Sequence, residues 1–154
     1  MPIAFKDGDL FSTPGISAFA HGCNCAGAMG KGIAVAFKER WPRMYAEYRQ
    51  RCQNRTFNPG DVFLWEEGRE HVFNLGTQKT WRTKATLEAV TKSFKTMIEI
   101  AAKKDIGEIA LPRIGAGLGG LQWEDVKATM ANIAEETPVV LIVCENFVEG
   151  QPMR

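Results

Sequence analysis

The residues with chemical capacity in this sequence are gathered in two glycine-rich stretches. The first is His21-Gly22-Cys23-Asn24-Cys25-Ala26-Gly27-Ala28-Met29-Gly30-Lys31-Gly32-Ile33-Ala34, and the second is Pro112-Arg113-Ile114-Gly115-Ala116-Gly117-Leu118-Gly119-Gly120. Each follows an apolar run of strand length and precedes a helical pattern. Glycines let the backbone approach a ligand and adopt positive φ, while a helix N-terminus presents unpaired N–H groups in a favourable dipole. That combination binds phosphate. One such loop reads equally as a tight strand-to-helix turn, but two of them can clamp a single diphosphate.

Two loops of this kind need an open α/β sheet to hold them, since ligands of such sheets collect at the carboxyl ends of the strands. Strand-like and helix-like segments alternate along the 154 residues. No internal repeat, low-complexity tract or Pro/Gly linker interrupts them, so one domain over 1–154 is expected. Strands are predicted at Ile3–Phe5, breaking at Lys6-Asp7-Gly8-Asp9, and at Ile16–His21. Val62–Trp65 and His71–Leu75 read as a hairpin around Glu66-Glu67-Gly68-Arg69, and Ile106–Leu111 and Val139–Cys144 complete the strands. Helical segments are Gly32–Arg40, a stretch from Pro42 through Tyr48, and Trp123–Ile133. Leu87, Val90, Phe94, Met97, Ile98 and Ala101 recur at steps of three or four, the apolar face of a longer helix. Val139–Cys144 is apolar without alternation and so must be covered on both faces. The expected fold is α/β, a three-layer α/β/α arrangement with a mixed, mostly parallel central sheet.

Several function classes drop out. The second loop contains G-x-G-x-x-G, yet no acidic residue follows about 20 positions later at the end of a second strand, which disfavours a dinucleotide dehydrogenase. Neither loop has the Gly-Lys-Ser/Thr ending of a nucleoside triphosphatase. A net charge of +1, with 45% hydrophobic and 24% charged residues, offers no long-range field for polyanions. Cys23, Cys25, Cys52 and Cys144 stand in a sequence with neither leader nor bilayer-spanning run, so free thiols in a reducing cytoplasm are expected. Cys23-x-Cys25 has only His21 beside it and no second pair, so neither a metal nor another cofactor is expected.

Gly8-Asp9-Leu10, then His21-Gly22-Cys23-Asn24-Cys25 with Met29-Gly30-Lys31-Gly32-Ile33-Ala34, then Pro112 through Gly120 with Leu121-Gln122-Trp123, together resemble macrodomains. The resemblance is to the branch containing terminal ADP-ribose glycohydrolases and the antitoxin that removes ADP-ribose from DNA, and it covers nearly the whole chain. It implies a monomeric ADP-ribose-binding domain. Asp9 would accept from the adenine amino group, with the backbone of Leu10 against the ring. Gly30, Gly32, Ile33 and Ala34, and Ile114, Gly115, Ala116, Gly117, Leu118 and Gly119, would hold the diphosphate. Asn24 would bind the distal ribose, with His21, Cys25 and Thr77 completing the set; His21 could shuttle protons there, although a histidine at a strand end is more often structural. Asn146 and Phe147 would offer an edge or a face to adenine, although Phe147 reads equally as closing the core. Asp9 and Asn24 read also as turn-forming residues, and Trp41, Trp81 and Trp123 as packing.

The sequence departs from that branch at its catalytic residues. Aligned on Asn74 and Trp81-Arg82, the position of the family lysine holds Gln78, and Lys79 follows one residue later. Gly119 stands where some members carry an aspartate. The candidate catalytic set is therefore Asn24, Gln78 and Lys79, with adjacent residues of an extended segment facing opposite sides. Three readings stay open. The domain hydrolyses an ADP-ribosyl linkage on DNA or protein, or ADP-ribose 1″-phosphate; it reads ADP-ribose without cleaving it; or Lys79, Arg82, Lys84, Lys92 and Lys95 bind nucleic acid, a cluster that reads more simply as a solvated face.

Overall fold

The computed structural model describes residues 2–154. Its elements in chain order are β1 (Ile3–Gly8), a 3-10 turn (Leu10–Ser12), β2 (Ala18–Asn24), α1 (Ile33–Arg40), α2 (Pro42–Gln53), β3 (Val62–Glu67), β4 (Glu70–Gln78), α3 (Leu87–Lys103), β5 (Glu108–Leu111), α4 (Trp123–Ala134) and β6 (Val140–Phe147). The strands form one sheet in the order β1-β6-β5-β2-β4-β3. The β3–β4 pair is antiparallel, the hairpin read from the sequence, and the other pairs are parallel.

Alternation along each strand sends side chains to two separate cores. Ala18, Ala20, Phe73, Leu75, Ile109 and Leu141 face α3 and α4 in one cluster. Phe19, Val72, Ala110 and Cys144 face α1 and α2 in the other, with Phe37, Trp41, Met44 and Tyr48. The three-layer arrangement and the mixed, mostly parallel sheet are thus present. Thr86 caps α3 by accepting from Ala89 N, and the predicted apolar face of that helix is buried from Val90 to Ala101, while Leu87 at the first turn is exposed. Pro42 opens α2 at its first turn.

Strand ends differ from the sequence reading where pairing overrides local punctuation. β1 does not break at Lys6; after an irregularity between Lys6 and Asp7, Asp7 and Gly8 pair with Asn146 and Phe147. Those partners extend β6 past Cys144. Gly8 has φ of 142°, and a Cβ there would lie 2.7 Å from Met153 Cα, because the C-terminal segment crosses directly over it. Only glycine leaves that passage open.

Candidate functional site

Parallel pairing of β1, β6, β5, β2 and β4 brings their carboxyl ends to one edge of the sheet. A cleft of about 1400 Å³ runs along that edge. The two glycine loops leave β2 and β5, which are neighbours in the middle of the sheet, so they face one another across the centre of the cleft. The segments leaving β1 and β6 lie at one end, and the segment leaving β4 at the other.

In the centre, Gly32 is the N-cap of α1 with φ of 63° and supplies no capping side chain. The first N–H groups of α1 therefore remain available for an anion. Cβ atoms built at Gly30 and Gly117 would meet nothing within 4 Å, so these glycines border open cleft. Gly22 and Gly119 are glycines for another reason. A Cβ at Gly22 would press on Thr77 and Ile114 at 3.0 and 3.1 Å, and one at Gly119 would lie 2.5 Å from Gly115 O. Gly119 thus has no room for a side chain.

At the β1/β6 end the Asp9 carboxylate lines the cleft. Its Oδ1 accepts from Phe11 N at 2.9 Å, and its Oδ2 accepts from Gly150 N at 3.1 Å and Ser12 Oγ at 3.2 Å. Turn-forming and cleft-facing readings of Asp9 hold together. The Leu10 side chain is fully buried in the core, so only its backbone is left for the ring, and the neighbouring Phe11 lines the cleft. Phe147 is 59% exposed on the cleft wall, not a core residue. Asn146 alternates to the other side, where its Nδ2 donates to Asp7 Oδ1 at 2.9 Å, so it is not at the cleft. Glu145, unmarked in the sequence, does line it; donation from Lys127 Nζ and Trp123 Nε1 holds its carboxyl below the usual range.

At the β4 end Asn24 is buried and organises the first loop. Its Nδ2 donates to Ala28 O at 2.8 Å, and its Oδ1 accepts from Ala26 N and from Tyr48 Oη, both at 3.0 Å. One Nδ2 hydrogen remains for a ligand. Tyr48, which the sequence gave only as the end of a helical stretch, shares that hydroxyl hydrogen with Asn24 O at 2.7 Å. Thr77 and Cys23 line the cleft, and burial pushes the Cys23 thiol well above its ordinary value, so no thiolate is offered. Cys25 is turned away from the cleft toward Gly76, while its N–H donates to Gln78 O at 2.9 Å. Gln78 donates through Nε2 to Thr80 O at 2.9 Å and Thr83 O at 2.8 Å, which fixes the following turn. Lys79 is exposed and does not line the cleft, the opposite facing expected of neighbours in an extended segment. Trp81, read from the sequence as packing, is 56% exposed at the cleft mouth with Arg82 beside it.

His21 takes the structural reading and not the proton-shuttling one. It is fully buried, stacks on Phe37 with ring centroids 3.9 Å apart, and pairs through Nε2 with Asn74 Oδ1 at 2.6 Å. Asn74 Nδ2 donates to Phe63 O, so Asn74 Oδ1 is the acceptor and His21 Nε2 carries the proton. The ring faces α1 and cannot reach a ligand. Burial outweighs that hydrogen bond and lowers its pKa to about 4. An unfolded chain titrates this group near 6.5, so as pH falls from about 6.5 to 4 the unfolded state takes up a proton that the folded state refuses. Stability present in full above pH 6.5 should therefore drop by about 3 kcal/mol across that window. Urea midpoints at pH 7.5 and 4.5 would show it, and His21→Gln should flatten the difference.

The sequence profile described as Macro domain matches residues 20–130 of this chain. A Mycobacterium tuberculosis protein named DNA ADP-ribosyl glycohydrolase is 32% identical over 142 residues, 90% of this chain and 40% of that protein. The human ADP-ribose glycohydrolase OARD1 is 32% identical over 141 residues, 92% of this chain and 90% of the human one. Among solved structures, the macrodomain of Mycobacterium tuberculosis DarG superposes with a TM-score of 0.86 at 31% identity, covering 94% of this chain and 98% of that one. The chain thus spans about 40% of the length of the mycobacterial relative and about 90% of the human one. No helix among the described residues is long and apolar enough to cross a membrane.

Proposed function

This chain belongs to the Macro domain family, and from that premise we propose that it binds ADP-ribose in the cleft and hydrolyses an ADP-ribosyl linkage. The observation that carries the proposal is the meeting of the two glycine loops over the adjacent strands β5 and β2, with Gly30 and Gly117 bordering open space. In this reading the ligand runs along the edge of the sheet. Adenine lies at the β1/β6 end with its amino group on Asp9 and its face on Phe147; the diphosphate sits on the N–H groups of α1 and the second loop; the distal ribose reaches Asn24. A cleft of about 1400 Å³ exceeds the roughly 300–1,000 Å³ common for small ligands and suits a molecule of this length.

In this reading the chain promotes hydrolysis by position. Water attacks the anomeric carbon of the distal ribose, the bond to the carried group breaks with its electron pair, and that group leaves with a proton. Asn24 and the loop N–H groups hold the ribose and diphosphate in place for attack, and such positioning is worth several kcal/mol. Neither Gln78, whose amide is committed to Thr80 and Thr83, nor the outward Lys79 supplies a nucleophile. The same two placements favour a second reading, in which the domain holds ADP-ribose without cleaving it.

Calorimetry with ADP-ribose, followed by product analysis on ADP-ribosylated DNA, ADP-ribosylated protein and ADP-ribose 1″-phosphate, tests both. Asp9→Ala is expected to weaken ADP-ribose binding about tenfold or more, the loss of a hydrogen bond to a charged group. Release of ADP-ribose that survives Lys79→Ala supports positional hydrolysis. Binding without release from any of the three substrates leaves the reader, and absence of binding removes the ADP-ribose reading.

A further inference from the structure

The ADP-ribose reading places Asn24 on the distal ribose, and the partners that hold its carboxamide are of two kinds. Ala26 N and Ala28 N donate to its Oδ1 at 3.0 and 3.3 Å, and its Nδ2 donates to Ala28 O at 2.8 Å. Those atoms belong to the first loop itself, which passes through Gly27 at φ of 90° and on through Gly30 and Gly32. A glycine-rich segment has a permissive backbone, so contacts made within it move with it.

The other partner comes from a packed helix. Among the described residues, Tyr48 of α2 is the only one outside the loop to hydrogen-bond the Asn24 side chain. Its ring is fully buried and meets Phe57 edge to face, with ring centroids 5.9 Å apart. The hydroxyl carries a single hydrogen and lies 2.7 Å from Asn24 O and 3.0 Å from Asn24 Oδ1, so the main-chain and side-chain oxygens of one residue share it. A fork of that kind fixes the carboxamide against its own backbone. It falls where the pairing of β2 with β4 shifts register, between Cys23 and Asn24, and such irregularities re-aim the side chain beside them. Burial pushes the Tyr48 hydroxyl far above its ordinary value, so it keeps its hydrogen and remains a donor.

Resting on the ADP-ribose reading, we infer that Tyr48 is a positioning residue, whose hydroxyl holds the Asn24 carboxamide so that the Nδ2 hydrogen not given to Ala28 meets a hydroxyl of the distal ribose. Tyr48 does not line the cleft and is fully buried, so it acts through Asn24 and touches no ligand. Its effect is confined to the part of the ligand that Asn24 meets. Tyr45, on the same helix, is the natural comparison, since its Oη donates to Gly27 O at 3.5 Å and not to Asn24.

The test measures dissociation constants for ADP-ribose and for ADP, which has the adenosine and the diphosphate but no distal ribose. Wild type, Tyr48→Phe, Asn24→Ala, the double variant and Tyr45→Phe are compared. Wild type is expected to bind ADP-ribose more tightly than ADP. Tyr48→Phe keeps the ring and removes only the oxygen; it should lower that preference about five- to tenfold, the worth of one hydrogen bond, while ADP affinity changes by about twofold or less. In the Asn24→Ala background the same change should lower the preference no further, because the two residues act as one unit. Tyr45→Phe should keep the wild-type preference. A loop that merely loosened would weaken both ligands alike, since its N–H groups also hold the diphosphate. Equal wild-type affinity for the two ligands, an unchanged preference in Tyr48→Phe, an equal loss on both ligands, or additive losses in the double variant would overturn the inference while leaving the ADP-ribose site intact. Failure of the wild type to bind ADP-ribose at all would remove both.

Discussion

A Gly117→Val protein should fold as the wild type does and lose ADP-ribose binding by a hundredfold or more. Gly117 does not sit in the left-handed region, and a Cβ there meets no atom within 4 Å. The added Cβ therefore strains nothing in the chain and takes up room between the two loops. Exposed substitutions of this kind change stability by about 0.5 kcal/mol or less, a melting shift of a few degrees at most. A diphosphate displaced from its N–H donors loses hydrogen bonds of about 1.5–3 kcal/mol each, so the loss of two is roughly a hundredfold or more in affinity. Calorimetry and thermal melting on the same sample decide the matter. Retained affinity would mean that the ligand does not lie between the loops.

Two residues further on, the same kind of change should act on the fold instead. Gly119→Ala places a Cβ 2.5 Å from Gly115 O and 3.0 Å from Ala85 Cβ, and Gly119 O is itself fixed by Ala85 N at 2.8 Å. The atoms in the way are backbone and a buried methyl, which cannot swing aside. Opening the loop should cost about 2–3 kcal/mol, as overpacked sites do, and binding should fall with it because the N–H groups of the second loop move. A urea midpoint lowered well below that of Gly117→Val is the expected result; equal midpoints would show the loop to be loosely held. The crowding also gives a reason why Gly119→Asp should fail to install a catalytic carboxylate, since the side chain has no direction to leave the loop.

Much of this site could be read from residue order. Glycines before a helical pattern, the apolar steps from Leu87 to Ala101, and the uninterrupted run through Val139–Cys144 are local signals, and the loops, α3 and the covered strand follow from them. Cys25 and Asn146, and His21 in its proton-shuttling reading, were misplaced for a common reason. Each stands beside a cleft residue in the chain, and the alternation of an extended backbone or a turn sends its side chain into the core or away from the cleft. Trp81 was misread in the opposite sense, because an aromatic residue is ordinarily buried and only the turn held by Gln78, Thr80 and Thr83 shows that this one is not.

Composition and spacing by themselves determined that the chain is an α/β protein with two glycine-rich loops between strand and helix, because those depend on contacts between residues near in sequence. Tertiary structure alone decided that the loops face each other, that Asp9 and Glu145 gather at one end and Arg82 and Lys31 at the other, and that Lys79 points away. Those facts depend on strand order and register, which join residues as distant as Asp9 and Gly150 or Asn24 and Gln78. A one-residue change of facing along β4 separates a lysine in the cleft from one in water.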